Sequence, residues 1–78
     1  MKTHFINKFN GIDFEFERVL IRNQLWYEVQ FNNNGNNGTF KMYPDSENNW
    51  YIVKQELPEW IKELEIEFNE AILDNERS

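Results

Sequence analysis

The chain has 78 residues, no cysteine and a formal net charge of −6. A chain this short makes one domain, spanning 1–78, that buries only about 60–65% of the surface its unfolded form exposes. The charge disfavours direct nucleic-acid binding and association with anionic membranes, because both reward neutralisation of phosphate by Lys and Arg. Without cysteine, neither a disulfide nor a Cys-type zinc site stabilises the fold. Seven Phe, three Tyr and three Trp must supply the core, and large rings bury much apolar area per ordered residue.

Residues 1–5 carry one Lys and no long apolar run, so no secretory signal is expected there. The first element is a strand over 3–9. Asn10-Gly11 follows, and this pair accepts the positive φ that a type I′ hairpin turn requires at both positions. Folding there sets Phe9 opposite Ile12, Phe5 opposite Phe16, Lys8 opposite Asp13 and His4 opposite Glu17. Aromatic pairs fall on one face and opposite charges on the other, which supports the register.

Strand two is expected over 12–21. Ile12, Phe14 and Phe16 alternate with Asp13, Glu15 and Glu17, and the alternation blurs at Val19, Leu20 and Ile21. The second turn is expected as a two-residue loop at Asn23-Gln24. That register keeps Phe16, Leu20, Tyr27, Val29 and Phe31 on one face. It gathers Val19, Ile21 and Trp26 on the other. Strand three follows over 25–31. Residues 32–38 are Asn and Gly throughout and predict a mobile loop. Strand four is expected over 39–43 with Phe40 and Met42 on the core face, and strand five over 50–54.

A helix is expected over 58–75. Pro58 opens it at the first helical position, where its missing N–H costs nothing. Leu57, Trp60, Ile61, Leu64, Phe68, Ala71 and Ile72 fall within one arc of about 120°. The predicted architecture is therefore α+β: an antiparallel β-meander of four to five strands with one C-terminal α-helix packed across one face.

Three surfaces are candidates for recognition. Glu56, Glu59, Glu63, Glu67, Glu70 and Asp74 recur at spacings of three and four and form an acidic ridge on the helix. Screening by solvent is the ordinary explanation; docking to a basic, nucleic-acid-binding protein is the functional one. Ile66 and Leu73 lie seven apart, nearly opposite the core stripe, and suggest a seam for a second copy or another partner. Val19, Ile21 and Trp26 lie on the sheet face away from the helix, and an exposed Trp among β-branched residues has the composition of an interaction anchor.

Conventional chemistry finds little support. His4 is the one histidine, and Ser46 and Ser78 lack a nucleophile-elbow context. Gly11, Gly35 and Gly38 match neither nucleotide-binding pattern. Asp45, Glu47, Asn49 and Glu56 fall at calcium-loop spacing, but Trp50 stands where that loop needs glycine. No cofactor, metal or catalytic residue is expected.

The pattern Trp50-Tyr51-Ile52-Val53, Leu57-Pro58-Glu59-Trp60-Ile61 and Ala71-Ile72 resembles the end of short uncharacterised bacterial proteins. The resemblance covers about a third of the chain. It implies a bacterial, cytoplasmic setting and no activity. The sequence thus reads as an acidic, non-enzymatic interaction module of the cytoplasm, a homodimer through the Ile66/Leu73 seam in one version and an acidic decoy in the other.

Overall fold

Asn10 and Gly11 both take positive φ, 53° and 75°, and the chain reverses there. The computed structural model describes residues 1–53 and 56–78. Strands β1 (His4–Phe9), β2 (Ile12–Ile21), β3 (Gln24–Asn33), β4 (Asn36–Pro44) and β5 (Trp50–Ile52) follow in order, then helices α1 (Glu59–Lys62) and α2 (Glu65–Arg77). The strands form one antiparallel sheet in the order β1-β2-β3-β4-β5. This is the expected α+β meander with a C-terminal helix. Among the described residues no helix is long and apolar enough to cross a membrane.

The first hairpin has the expected register throughout, from Phe9↔Ile12 to His4↔Glu17. The second differs. Its turn is Arg22-Asn23 rather than Asn23-Gln24, and Ile21 pairs with Gln24. The shift moves every partner by two positions, so the faces survive while the neighbours change. Phe14 now faces Phe31, Phe16 faces Val29, and Arg18 rather than Leu20 faces Tyr27. Leu20 lies beyond the core and is 60% exposed. Arg22 takes a φ of 50°, a conformation costing about 1–2 kcal/mol for such a residue. Packing of Phe14, Phe16 and Arg18 outweighs that local preference.

The third turn corrects the mobile loop expected over 32–38. Asn34-Gly35 is a second Asn-Gly pair, with φ of 55° and 86°. It makes a two-residue hairpin, and pairing runs from Asn33↔Asn36 through Phe31↔Gly38 to Tyr27↔Met42. The side chain of Asn32 closes the turn by accepting the Gly35 N–H at 2.9 Å. Strand β4 therefore begins at Asn36, three residues before the expected start. Gly38 is a strand residue under an aromatic ring. A Cβ there would fall 2.3 and 2.5 Å from two carbons of Phe31, so only glycine lets that ring lie over the strand.

The single helix expected over 58–75 breaks in two. Pro58 caps α1 instead of opening it, and its carbonyl accepts the Ile61 N–H at 3.1 Å. Leu64 leaves helical geometry, with φ −93° and ψ 4°, and its carbonyl starts α2 by accepting the Phe68 N–H. The apolar stripe still turns inward: Ile61, Leu64, Phe68, Ala71 and Ile72 are buried, while Leu57 and Trp60 pack against them. Phe68 is the hub. Its ring lies 4.9 Å from Phe14, 5.4 Å from Phe9 and Phe40, and 6.0 Å from Phe16.

The two outer edges of the sheet differ. On β5, the Trp50 N–H donates to Asn69 Oδ1 at 2.6 Å and the Ile52 N–H to a Glu65 carboxylate oxygen at 2.7 Å. Four residues of helix rise about 6.0 Å, and two residues of strand about 6.6–6.8 Å. Positions i and i+4 of α2 therefore meet alternate N–H groups of the strand and stand in for a sixth strand. Strand five was expected to reach 54; Lys54 lies outside the described residues. At the other edge Asn75 of α2 binds the N–H and carbonyl of Lys2, and among the described residues no helix side chain bonds to the backbone of β1 itself.

Candidate functional site

Alternate residues of each strand point away from the helices and build the outer face. One cross-strand row reads Val19, Trp26, Tyr43, Tyr51. Trp26 and Tyr43 stack with centroids 5.9 Å apart and planes 16° from parallel. Tyr51 is 46% exposed, and Ile21, at the end of β2, is 53% exposed. The expected cluster of Val19, Ile21 and Trp26 therefore sits on this face, with Val19 directly across from Trp26. Trp26 itself is half-buried rather than bare, because Tyr43 covers part of it. Tyr43 and Tyr51 were not singled out in the sequence. Their signal was present: with Phe40, Met42, Trp50 and Ile52 turned inward, the odd-numbered residues between and beside them must turn outward.

The next row reads His4, Glu17, Glu28, Lys41. Glu17 and Glu28 are directly opposite, a like-charge arrangement that disfavours the pair. Among the described residues neither carboxylate has an ion-pair partner within 4 Å. Lys41, opposite Glu28, places its ammonium 5.5 Å from the Trp26 ring centroid, a cation–π arrangement. The Trp26 indole N–H points at Glu28 Oε1, 3.5 Å away. His4 is opposite Glu17 in the ladder, but its ring reaches diagonally to Glu15 at 3.4 Å. Toward the Asn-Gly turns the face becomes polar and shallowly concave, lined by Asp13, Glu15, Gln30, Asn32, Asn37 and Thr39.

The helix surfaces divide. Glu56, Glu59, Glu63, Glu67, Glu70 and Asp74 are all exposed, and Asp74 approaches Arg77 at 3.9 Å. Ile66 is 70% exposed. Leu73 is not its companion: it is half-buried and packs against the core. The break at Leu64 and the closeness of α2 to β5 rotate Leu73 toward Leu25 and Trp50, with which it lines a cleft. The expected seam of two exposed residues is thus one exposed isoleucine.

A polar cluster under the end of α2 escaped the sequence. Arg18, on the core face, grips Glu76 through Nε at 2.7 Å and Nη2 at 3.2 Å. The buried Tyr27 hydroxyl donates to the same carboxylate. Asn75 donates through Nδ2 to the Tyr27 oxygen and to the Lys2 carbonyl, both at 2.8 Å, and its Oδ1 accepts the Lys2 N–H at 2.9 Å. Burial, then the bond to Glu76, pushes the Tyr27 phenol up to about 12. Burial opposes ionisation of Glu76, but the bonds from Arg18 and Tyr27 outweigh it and hold that carboxyl below its ordinary value. The bond to Glu76 raises Arg18. Every member has a partner, and among the described residues no buried side-chain polar atom is left without one. The cluster reads as a clasp between α2, β2, β3 and the first residues of the chain.

In the β4–β5 loop, Asp45 Oδ1 accepts the N–H groups of Glu47 and Asn49 at 2.8 and 3.0 Å, so this carboxylate is spent closing its own turn. Comparison of the chain with protein-family models, with curated proteins and with solved structures finds no match.

Proposed function

We propose that the protein is a non-enzymatic interaction module whose outer sheet face holds a basic segment of another protein. The observation that carries this reading is the Trp26–Tyr43 stack beside the opposed Glu17–Glu28 pair. All four lie on the sheet face that the helices do not cover. Aromatic rings give a partner large contact area at small entropic cost. The two carboxylates repel each other until a cation comes between them. Lys41 already rests against the Trp26 ring, as an Arg or Lys of a partner would. Lack of cysteine suits a reducing cytoplasm, which we propose as its compartment.

A second reading rests on the six exposed acids of the helix ridge. It makes the protein a decoy that presents carboxylates to a nucleic-acid-binding protein. Affinity capture at low salt separates the two. A partner retained by the unaltered chain and lost with Trp26→Ala/Tyr43→Ala, but kept by Glu63→Gln/Glu67→Gln/Glu70→Gln, supports the sheet face. The reverse pattern supports the decoy and removes the first reading.

A further inference from the structure

The backbone of β1 is the unfinished edge of this sheet. The Arg18 N–H donates to the Thr3 carbonyl at 2.8 Å. Ladder bonds alternate along an antiparallel pair, so Phe5, Asn7 and Phe9 also bond toward β2. His4, Ile6 and Lys8 must then direct their N–H and C=O groups away from the sheet. Among the described residues nothing bonds to these groups. The opposite edge has two side chains of α2 bonded to its strand; on this edge Asn75 of α2 takes only the N–H and carbonyl of Lys2, just before β1 begins. Bare edges are templates for another strand.

We propose that β1 pairs with β1 of a second copy of this chain, antiparallel about a two-fold axis at Ile6. A second copy is the occupant because the strand is complementary to itself in one register. With Ile6 opposite Ile6 of the partner, His4 falls opposite the partner's Lys8 and Lys8 opposite the partner's His4. All three outward residues of each strand are then used, giving six backbone hydrogen bonds. Any other antiparallel register leaves at least one of them unpaired. Ile6 is 52% exposed on the outer face, and this register buries it against its own copy. Lys8 remains bound to Asp13, at 3.3 Å within its own chain, so its charge is offset at the junction. Pairing of this kind joins two sheets into one and makes the two outer faces continuous. The junction is a single strand long, so the dimer forms and dissociates with concentration.

The chain has no cysteine, which gives a specific test. Opposed residues of a hydrogen-bonded antiparallel pair have Cα atoms about 5.5 Å apart, within the range a disulfide spans. Ile6→Cys is expected to form a covalent dimer of twice the 9.6 kDa chain under mild oxidation. Asn7→Cys, one residue along and on the other face, is expected to stay monomeric. Sedimentation of the unaltered chain is expected to show its mass doubling as concentration rises. Ile6→Pro removes an outward N–H without touching the β1–β2 ladder and is expected to abolish that doubling. Ile6→Lys, which sets two like charges on the axis, is expected to do the same with the ladder donor intact. A chain that stays at 9.6 kDa at every concentration, equal cross-linking of the two cysteine variants, or a dimer untouched by Ile6→Lys would overturn the proposal.

Discussion

The core face and the outer face are built from alternate residues of the same five strands, yet they are finished in opposite ways. On the core face every large ring meets another ring or the helix stripe, and Phe14, Phe16, Tyr27, Phe40 and Phe68 are buried almost completely. Even its charges, Arg18 and Glu76, are paired bidentately. On the outer face a stacked Trp26 and Tyr43 lie beside the opposed Glu17 and Glu28, neither with an ion-pair partner within 4 Å among the described residues. The contrast separates residues the fold consumes from those to which the proposed function assigns a partner.

Truncation separates the faces most strongly. Phe14→Ala should cost about 3–5 kcal/mol, a large share of the stability of about 4–12 kcal/mol usual for a chain this long. Trp26→Ala should cost less, about 1–2 kcal/mol for a half-buried ring and one aromatic pair, while removing the proposed partner binding. Urea unfolding of the two variants side by side measures the difference. Equal losses would make Trp26 a structural residue.

Gly38→Ala tests the core face at a point where it has no slack. The new methyl would strike Phe31, and the expected loss is about 1–3 kcal/mol, the usual cost of overpacking. A lowered urea midpoint with unchanged slope checks it.

The clasp gives the core face a pH signature. Glu76 titrates below its ordinary 4.5 when folded, so its contribution is present above that value and is lost as pH falls through the folded one. Tyr27 titrates at about 12 rather than 10.0. Above pH 10 the unfolded chain releases this proton before the folded one does, so stability falls between pH 10 and about 12. Urea midpoints across pH should show both limbs. Glu76→Gln should flatten the acid limb, and Tyr27→Phe the alkaline one.

The smallest effect belongs to the ridge. Glu63→Gln/Glu67→Gln/Glu70→Gln should raise stability by only a few tenths of a kcal/mol for each like-charge spacing removed, measured by thermal unfolding at low salt.

Much of this contrast was legible in the residues, because face is a matter of parity. Alternation in β2 assigned Phe14 and Phe16 to one side and Val19 to the other, and a register error of two positions left those assignments intact. Local turn chemistry was legible at Asn10-Gly11. The same chemistry at Asn34-Gly35 was hidden among neighbouring asparagines, since five Asn and two Gly in a row look like loop whichever pair turns. Arg22 at positive φ was not legible, because tertiary packing chose it against local preference. Nor was the clasp: Arg18 and Glu76 lie 58 residues apart, and no periodicity links them. The break at Leu64 hid for a different reason. The apolar stripe satisfies one helix or two, and only the need of Glu65 and Asn69 to reach β5 distinguishes them.

The three tryptophans provide the most direct measurement. Trp26 stands on the outer face with its indole N–H toward Glu28, whereas Trp50 and Trp60 pack on the core side. Their three indole N–H resonances can be followed by NMR while an arginine-rich peptide is added at low salt. If the outer face receives basic partners, the Trp26 signal shifts with saturation and those of Trp50 and Trp60 stay in place. An unmoved Trp26 signal, with shifts confined to the backbone amides of Glu63, Glu67 and Glu70, would contradict the assignment and give recognition to the helix.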